Sequence, residues 1–310
     1  MSFTWPTFAQ AIYRTMRLRR LVLAALGLAV LVLFCAVLIQ PTLLPVTRAA
    51  SIFAVIGLLV CAHVTLFPNV ALETLSLALV GTAFIVVLPL LPEVASLAAG
   101  SYYQAALTLL VVLAVLVAIA LTMIVHKLFE IAVYAGPIAR LRIKSYIDVP
   151  VATTVAHRQF GMRPDTRRGR VLAGSVDDHG FFDVAVVSEH LADPHDSDCP
   201  LVVKLDAKVL SSDDKTHEIM LVLPSGAVTV TAHNFMPYGD GCRVTVTEMP
   251  GDFTWGMHAL FWLMDQQTDN LVEVAELMQT TPPRANGLAH AVSLLSIAGV
   301  VLSPRQPVLD

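Results

Sequence analysis

The stretch Tyr103–Val149, YQAALTLLVVLAVLVAIALTMIVHKLFEIAVYAGPIARLRIKSYIDV, joins two kinds of chain in one line. Its first part, Tyr103–Val125, carries no Asp, Glu, Lys or Arg. At about 1.5 Å of rise per residue it is long enough to cross the roughly 30 Å of hydrocarbon in a bilayer. Lipid offers no partner to free backbone N–H and C=O groups, so a run of this kind is helical. Basic residues then return at Lys127, Arg140, Arg142 and Lys144. From about Arg140 apolar residues alternate with polar ones, and Arg142–Val149 is expected as a strand. A membrane part thus gives way to a water-facing part.

Working back from Tyr103, three more apolar runs appear: Leu21–Ile39, Ala49–Phe67 and Ala71–Leu91. The first is too long for the apolar core of a signal peptide, and no small-x-small cleavage site follows it. The expected architecture has a basic cytoplasmic N-terminus (1–20), a four-helix transmembrane domain (21–126) and a linker (127–139). Arg14, Arg17, Arg19 and Arg20 precede the first run, and the basic residues after Val125 follow the last. The first loop has only Arg48, and 92–102 has no Lys or Arg. Basic residues stay on the cytoplasmic side, so both ends of the bundle are expected inside a bacterial-type inner membrane. Trp5, Tyr13, Tyr102 and Tyr103 fit the two interfaces. His63 and Glu73, with Cys61 nearby, allow two readings: a proton or headgroup site, or interfacial snorkelling and an interhelical hydrogen bond.

Composition agrees with the division. Of 310 residues, 56% are hydrophobic and 14% charged, which excludes disorder and speaks against a purely soluble chain. Residues 1–145 hold nine Lys/Arg against three Asp/Glu; residues 146–310 hold eleven against twenty-one. An acidic second half speaks against a nucleic-acid partner, which needs a basic surface.

In that half the turns recur as in an antiparallel meander. Seven strands are expected: Arg142–Val149, Arg170–Val176, Phe181–Glu189, Leu201–Leu210, Lys215–Leu223, Ala227–Met236 and Cys242–Met249. A helix over Val151–Phe160 and a short helix or turn at Met162–Asp165 separate the first two. A long helix over Thr254–Gln279 follows, with an apolar stripe through Met257, Leu260, Phe261, Met264, Leu271 and Val274. Pro282-Pro283 ends it. Such a sheet needs cover on one face, and this is the long amphipathic helix that offers it.

Alternation assigns the inner face. Lys204 and Asp206 outward put Val203 and Leu205 inward; Asp183 outward puts Phe182, Val184 and Val186 inward. His217, Ile219 and Leu221 form the inner set of the next strand, and Val244, Val246 and Glu248 that of the last. With Met257, Phe261 and Met264 from the helix, these are the candidate lining of a ligand cavity. His217 and Glu248 are its polar points, with Asn234 or His258 as further candidates. The other reading is a filled core whose polar groups are satisfied locally.

The order strand, short helices, six strands, long helix resembles the START-like helix-grip superfamily, which includes the polyketide cyclase/dehydrase and lipid-transport proteins (SRPBCC). The resemblance covers about 140–280, and the helix-grip domain is expected over 140–281. It rests on that order, on Ile147-Asp148-Val149-Pro150 leading into the first helix, and on Gly239-Asp240-Gly241-Cys242-Arg243-Val244-Thr245-Val246-Thr247 before the terminal helix. It implies a curved antiparallel sheet gripping the C-terminal helix around an apolar cavity. It also implies ligands that vary widely and many members that are not enzymes.

Other signals are weaker. Cys35, Cys61, Cys199 and Cys242 form no Cys-x-x-Cys pair, and no disulfide is expected in a reducing cytoplasm. His190–Cys199 is rich in metal-ligand types but lacks a recurrent spacing, so no metal is expected. No cofactor motif is present. Arg158, Arg163, Arg167 and Arg168 form a basic cluster suited either to anionic headgroups or to local pairing. The apolar tail, 282–310, is expected as an interfacial or re-entrant helix, with a fifth crossing as the alternative. Three functions remain open: a membrane-anchored, non-catalytic binder of an apolar ligand such as a lipid or isoprenoid; a structural or assembly subunit of an inner-membrane complex, with a membrane-protein partner; or a cyclase/dehydratase-like enzyme using His217 or Glu248 as general acid/base.

Overall fold

The computed structural model describes residues 5–39, 44–97, 102–168, 171–193 and 196–278. The tail 279–310 and the tip of the His190–Cys199 loop lie outside them. Among the described residues the chain divides into a helical unit, 5–133, and a sheet unit, 134–278.

The helical unit contains α1 (Phe8–Arg17), α2 (Arg19–Ile39), α3 (Val46–Leu66), α4 (Ala71–Val87), α5 (Leu91–Ser96) and α6 (Tyr103–Tyr134, which crosses the boundary by one residue). Among the described residues, four helices are long and apolar enough to cross a membrane: Arg19–Ile39, Val46–Leu66, Ala71–Ser96 and Tyr103–Tyr134. The third comprises α4, a 3-10 turn at Leu88–Leu90 and α5, where Pro89 and Pro92 lack the N–H that a regular helix uses. At 32 residues, α6 is about 48 Å long. It runs through most of the segment expected as the linker 127–139, and Lys127 and Glu130 pair at 2.9 Å on its outer turns.

Helices α2, α3 and α4 pack on one another, with Ala25, Ala29, Ile56, Val60 and Ala78 between them. Where α3 turns into α4, His63 Nε2 lies 3.0 Å from Glu73 Oε1 and its Nδ1 lies 3.0 Å from Thr74 Oγ1, all buried. Of the two readings of His63 and Glu73, this contact supplies the interhelical one. Helix α1 begins at a capping box formed by Thr7 and Gln10. Phe8, Ile12 and Met16 form an exposed apolar stripe along it, while Arg14 donates to the Thr65 carbonyl at 2.7 Å.

Among the described residues, the sheet unit is one antiparallel sheet of eight strands, in the order β1-β8-β7-β6-β5-β4-β3-β2. These are β1 (Ile143–Val149), β2 (Arg167–Arg168), β3 (Val171–Val176), β4 (Phe182–Asp193), β5 (Asp196–Ser212), β6 (Thr216–Val222), β7 (Val228–Tyr238) and β8 (Gly241–Met249). The expected count of seven is therefore corrected to eight. The added strand has two residues, pairing Arg167 with Leu172 and Arg168 with Val171, and is too short to show an alternation. Register shifts interrupt the β3–β4, β4–β5 and β5–β6 ladders, the irregularities at which strands bend and twist.

Helix α7 (Thr153–Phe160) packs on β7 and β8. The single terminal helix expected over Thr254–Gln279 is corrected to two, α8 (Trp255–Met264) and α9 (Gln266–Met278). They part at Asp265, whose φ of 49° is left-handed. Helix α9 packs on β1 and α7. One core cluster joins α7 and α9 to β1, β7 and β8 through Phe160, Phe235, Val244, Val246, Leu271 and Ala275. Another gathers Phe182, Val184, Ala207 and Ile219 on β4, β5 and β6.

Candidate ligand cavity

Between these clusters lies a cavity of about 270 Å³, near the lower end of the range for small-molecule pockets. Its sheet wall consists of Val184 and Val186 on β4, Leu205 on β5, Ile219 and Leu221 on β6, Thr231 and His233 on β7, and Val246 and Glu248 on β8. These residues converge because strand side chains alternate and each strand turns its apolar set the same way. The opposite wall is α9, through Gln267, Asn270, Leu271, Val274 and Leu277. Phe160, Met162 and Val171 close one side, together with Arg168.

The structure brings seven of the sequence candidates to this wall: Val184, Val186, Leu205, Ile219, Leu221, Val246 and Glu248. Phe182 and Val244 are buried in the flanking clusters instead. Val203 shares a face with Val186 through direct pairing but is 43% exposed. Met257, Phe261 and Met264 are on α8, outside the lining, because the break at Asp265 makes α9 the helical wall. Phe261 packs edge-on to Phe253, at 5.6 Å between ring centroids. His258 is buried and donates to the Ala139 carbonyl at 2.8 Å, and Asn234 is exposed.

His217 is also withdrawn from the cavity. Its Nε2–H donates to the Met162 carbonyl at 2.8 Å, which leaves Nδ1 to accept from Ser212 Oγ at 3.2 Å. Burial lowers its pKa, while the Met162 hydrogen bond works the other way. Next to it, His157 Nε2–H donates to the Thr216 carbonyl at 3.3 Å and Nδ1 accepts from Arg163 at 2.6 Å. Both ring nitrogens of His217 are thus engaged outside the cavity lining.

The polar end of the cavity is made instead by Glu248, Gln267 and His233. Register places Thr231 opposite Glu248 and His233 opposite Val246, so Glu248 and His233 are diagonal neighbours on one face. Gln267, buried on the first turn of α9, donates through Nε2 to Glu248 Oε2 at 3.3 Å. Burial raises the Glu248 pKa, and the Gln267 hydrogen bond only partly opposes it. Burial pushes the His233 imidazole down to about 3, with His217 and Arg168 acting in the same direction, so the ring is neutral. His233 was not among the residues singled out from sequence. Its signal was the period of two through Thr229, Thr231, His233 and the buried Phe235.

The basic cluster is divided. Arg168 donates to the carbonyls of Gln159 and Phe160, at 2.8 and 3.0 Å, where the C-terminal end of α7 favours a cation. Burial lowers its pKa, and Glu273 counteracts that. Arg163 is held by His157, whereas Arg158 and Arg167 are exposed. A second pocket, of about 360 Å³, lies beside Arg158, Arg167 and Arg168.

No family model matches the chain, and no curated protein matches it. The chain is similar to solved structures over somewhat less than half its length. With the crystal structure of protein CV1439 from Chromobacterium violaceum it shares 9% identity, covering 45% of this chain and 98% of that one, at a TM-score of 0.33. With the crystal structure of Ara h 8.0201 the identity is 9%, the coverage 46% and 100%, and the TM-score 0.33. With the solution structure of the Aha1 dimer from Colwellia psychrerythraea the values are 9%, 45% and 97%, and 0.31.

Proposed function

We propose that this chain is a membrane-anchored binding protein. A helix-grip domain on the cytoplasmic side of a bacterial-type inner membrane holds an apolar ligand, of the lipid or isoprenoid kind, without transforming it. The observation that carries this reading is the apolar-walled cavity between the sheet and α9, formed by Val184, Val186, Leu205, Ile219, Leu221, Leu271 and Val274. The membrane-length helices Arg19–Ile39, Val46–Leu66, Ala71–Ser96 and Tyr103–Tyr134 and the apolar stripe of α1 supply the anchor. Covalent attachment keeps the domain at high effective concentration near any ligand dissolved in the bilayer. The exposed Arg158 and Arg167 support contact with anionic headgroups, each worth about 1 kcal/mol near such a surface.

The test is extraction and mass spectrometry of the full chain purified in lipid nanodiscs, against empty nanodiscs. One apolar class is expected to be enriched by the parent protein and lost from the cavity-filling variant Val186→Trp, with the far-UV spectrum unchanged. No enrichment by the parent, or equal enrichment by parent and variant, would sink this reading.

A further inference from the structure

The polar end of the cavity is incompletely satisfied in a specific way. Gln267 is only 4% exposed, and while its amide nitrogen donates to Glu248, its Oε1 is buried without a hydrogen-bond partner. His233 Nδ1 is likewise buried without one. Both residues line the same cavity as Glu248, and the remaining wall is mostly aliphatic. A buried polar atom left unpaired costs about 1–3 kcal/mol, so two of them facing one space point to something that binds there.

We propose that the cavity is built for an apolar molecule carrying a hydroxyl group, with that hydroxyl seated among Gln267, Glu248 and His233 and the hydrocarbon lying along Val184, Leu205, Ile219 and Val274. This rests on the ligand-binding reading above and specifies the class of ligand. Gln267 Oε1 only accepts hydrogen bonds, so the head must donate, which a ketone or ester cannot do. A hydroxyl also accepts, so it can serve a donor on Glu248 or His233 in return. A carboxylate head gains little here. Arg168, the cation on the wall, is committed to the carbonyls of Gln159 and Phe160, and Glu273 is on the same wall. An ionised head would also face Glu248 with no free cation to neutralise it.

The experiment uses the full chain in nanodiscs and equilibrium binding of a radiolabelled primary fatty alcohol, its matched alkane and its matched fatty acid, each corrected for empty nanodiscs. The alcohol is expected to bind about tenfold more tightly than the alkane, the equivalent of one well-made hydrogen bond to a buried partner, and more tightly than the acid. Gln267→Leu is expected to bring alcohol and alkane to equal affinity while alkane binding persists. His233→Phe, on a separate strand, is expected to reduce the same preference. Equal binding of alcohol and alkane by the parent protein overturns the inference and leaves the ligand-binding reading standing, as does preference for the acid. Binding of none of the three overturns both.

Discussion

At the scale of single residues, the sheet unit carries two partly buried titratable groups whose effects on stability run in opposite directions. His233 titrates near 3 in the folded chain against 6.5 ordinarily, so the fold favours its neutral form. Its contribution is complete above 6.5 and is lost as pH falls from there toward 3. Glu248 has a raised pKa, so its contribution is complete below the ordinary 4.5 and is lost as pH rises through the folded value. His233→Gln is therefore expected to flatten the acid side of the stability profile, and Glu248→Gln to stabilise the protein above the Glu248 titration. Thermal unfolding of each variant across pH checks both; a profile unchanged from the parent would count against the assignment. The inward sets of β4, β6 and β8 are legible in sequence because one outward charge, such as Asp183 or Glu218, sets the phase of its whole strand. In β7 the residues Thr229, Thr231 and His233 are polar on the inner face, so no contrast in hydropathy singles out His233.

Among the elements, the break between α8 and α9 decides which residues reach the cavity. Asp265 ends α8 in a left-handed conformation, which costs an ordinary L-residue about 1–2 kcal/mol and which Asp tolerates better than most. Its carboxylate then accepts from Thr268 Oγ1 at 2.8 Å across the first turn of α9. Asp265→Ala removes the side-chain acceptor and keeps the strain, so a loss of about 1–2 kcal/mol is expected in urea unfolding. Asp265→Gly gives up the carboxylate but relieves the backbone and is expected to cost less. An Ala variant as stable as the parent would show that the break is held by packing instead. Little in Trp262-Leu263-Met264-Asp265-Gln266-Gln267 announces this feature, since it contains neither Gly nor Pro. Each helix has an apolar stripe of its own, and the two together look like one uninterrupted helix. The two-residue β2 is hidden for a different reason: its Arg167 and Arg168 carry no apolar alternation.

For the whole molecule, the distribution of Lys and Arg around the four apolar helices predicts which compartment holds the sheet unit. In inside-out vesicles a protease is expected to cut the exposed turn Asp177–Gly180, and in right-side-out vesicles to leave it intact. Cleavage in right-side-out vesicles alone would reverse the orientation. The division into a helical and a sheet unit is legible from composition, because lipid and water select such different residues. The position of the joint is less so: α6 continues to Tyr134, since Lys127 and Glu130 suit a helix that has left the hydrocarbon as well as they suit a loop. The sheet order has a further consequence for biosynthesis. The first strand made, β1, pairs with the last, β8, with Ile143 opposite Glu248. A nascent chain must therefore carry β1 without its neighbour until Met249 has emerged from the ribosome, and a message truncated before that codon leaves β1 as an unpaired strand. Such fragments are natural substrates for chaperones and proteases.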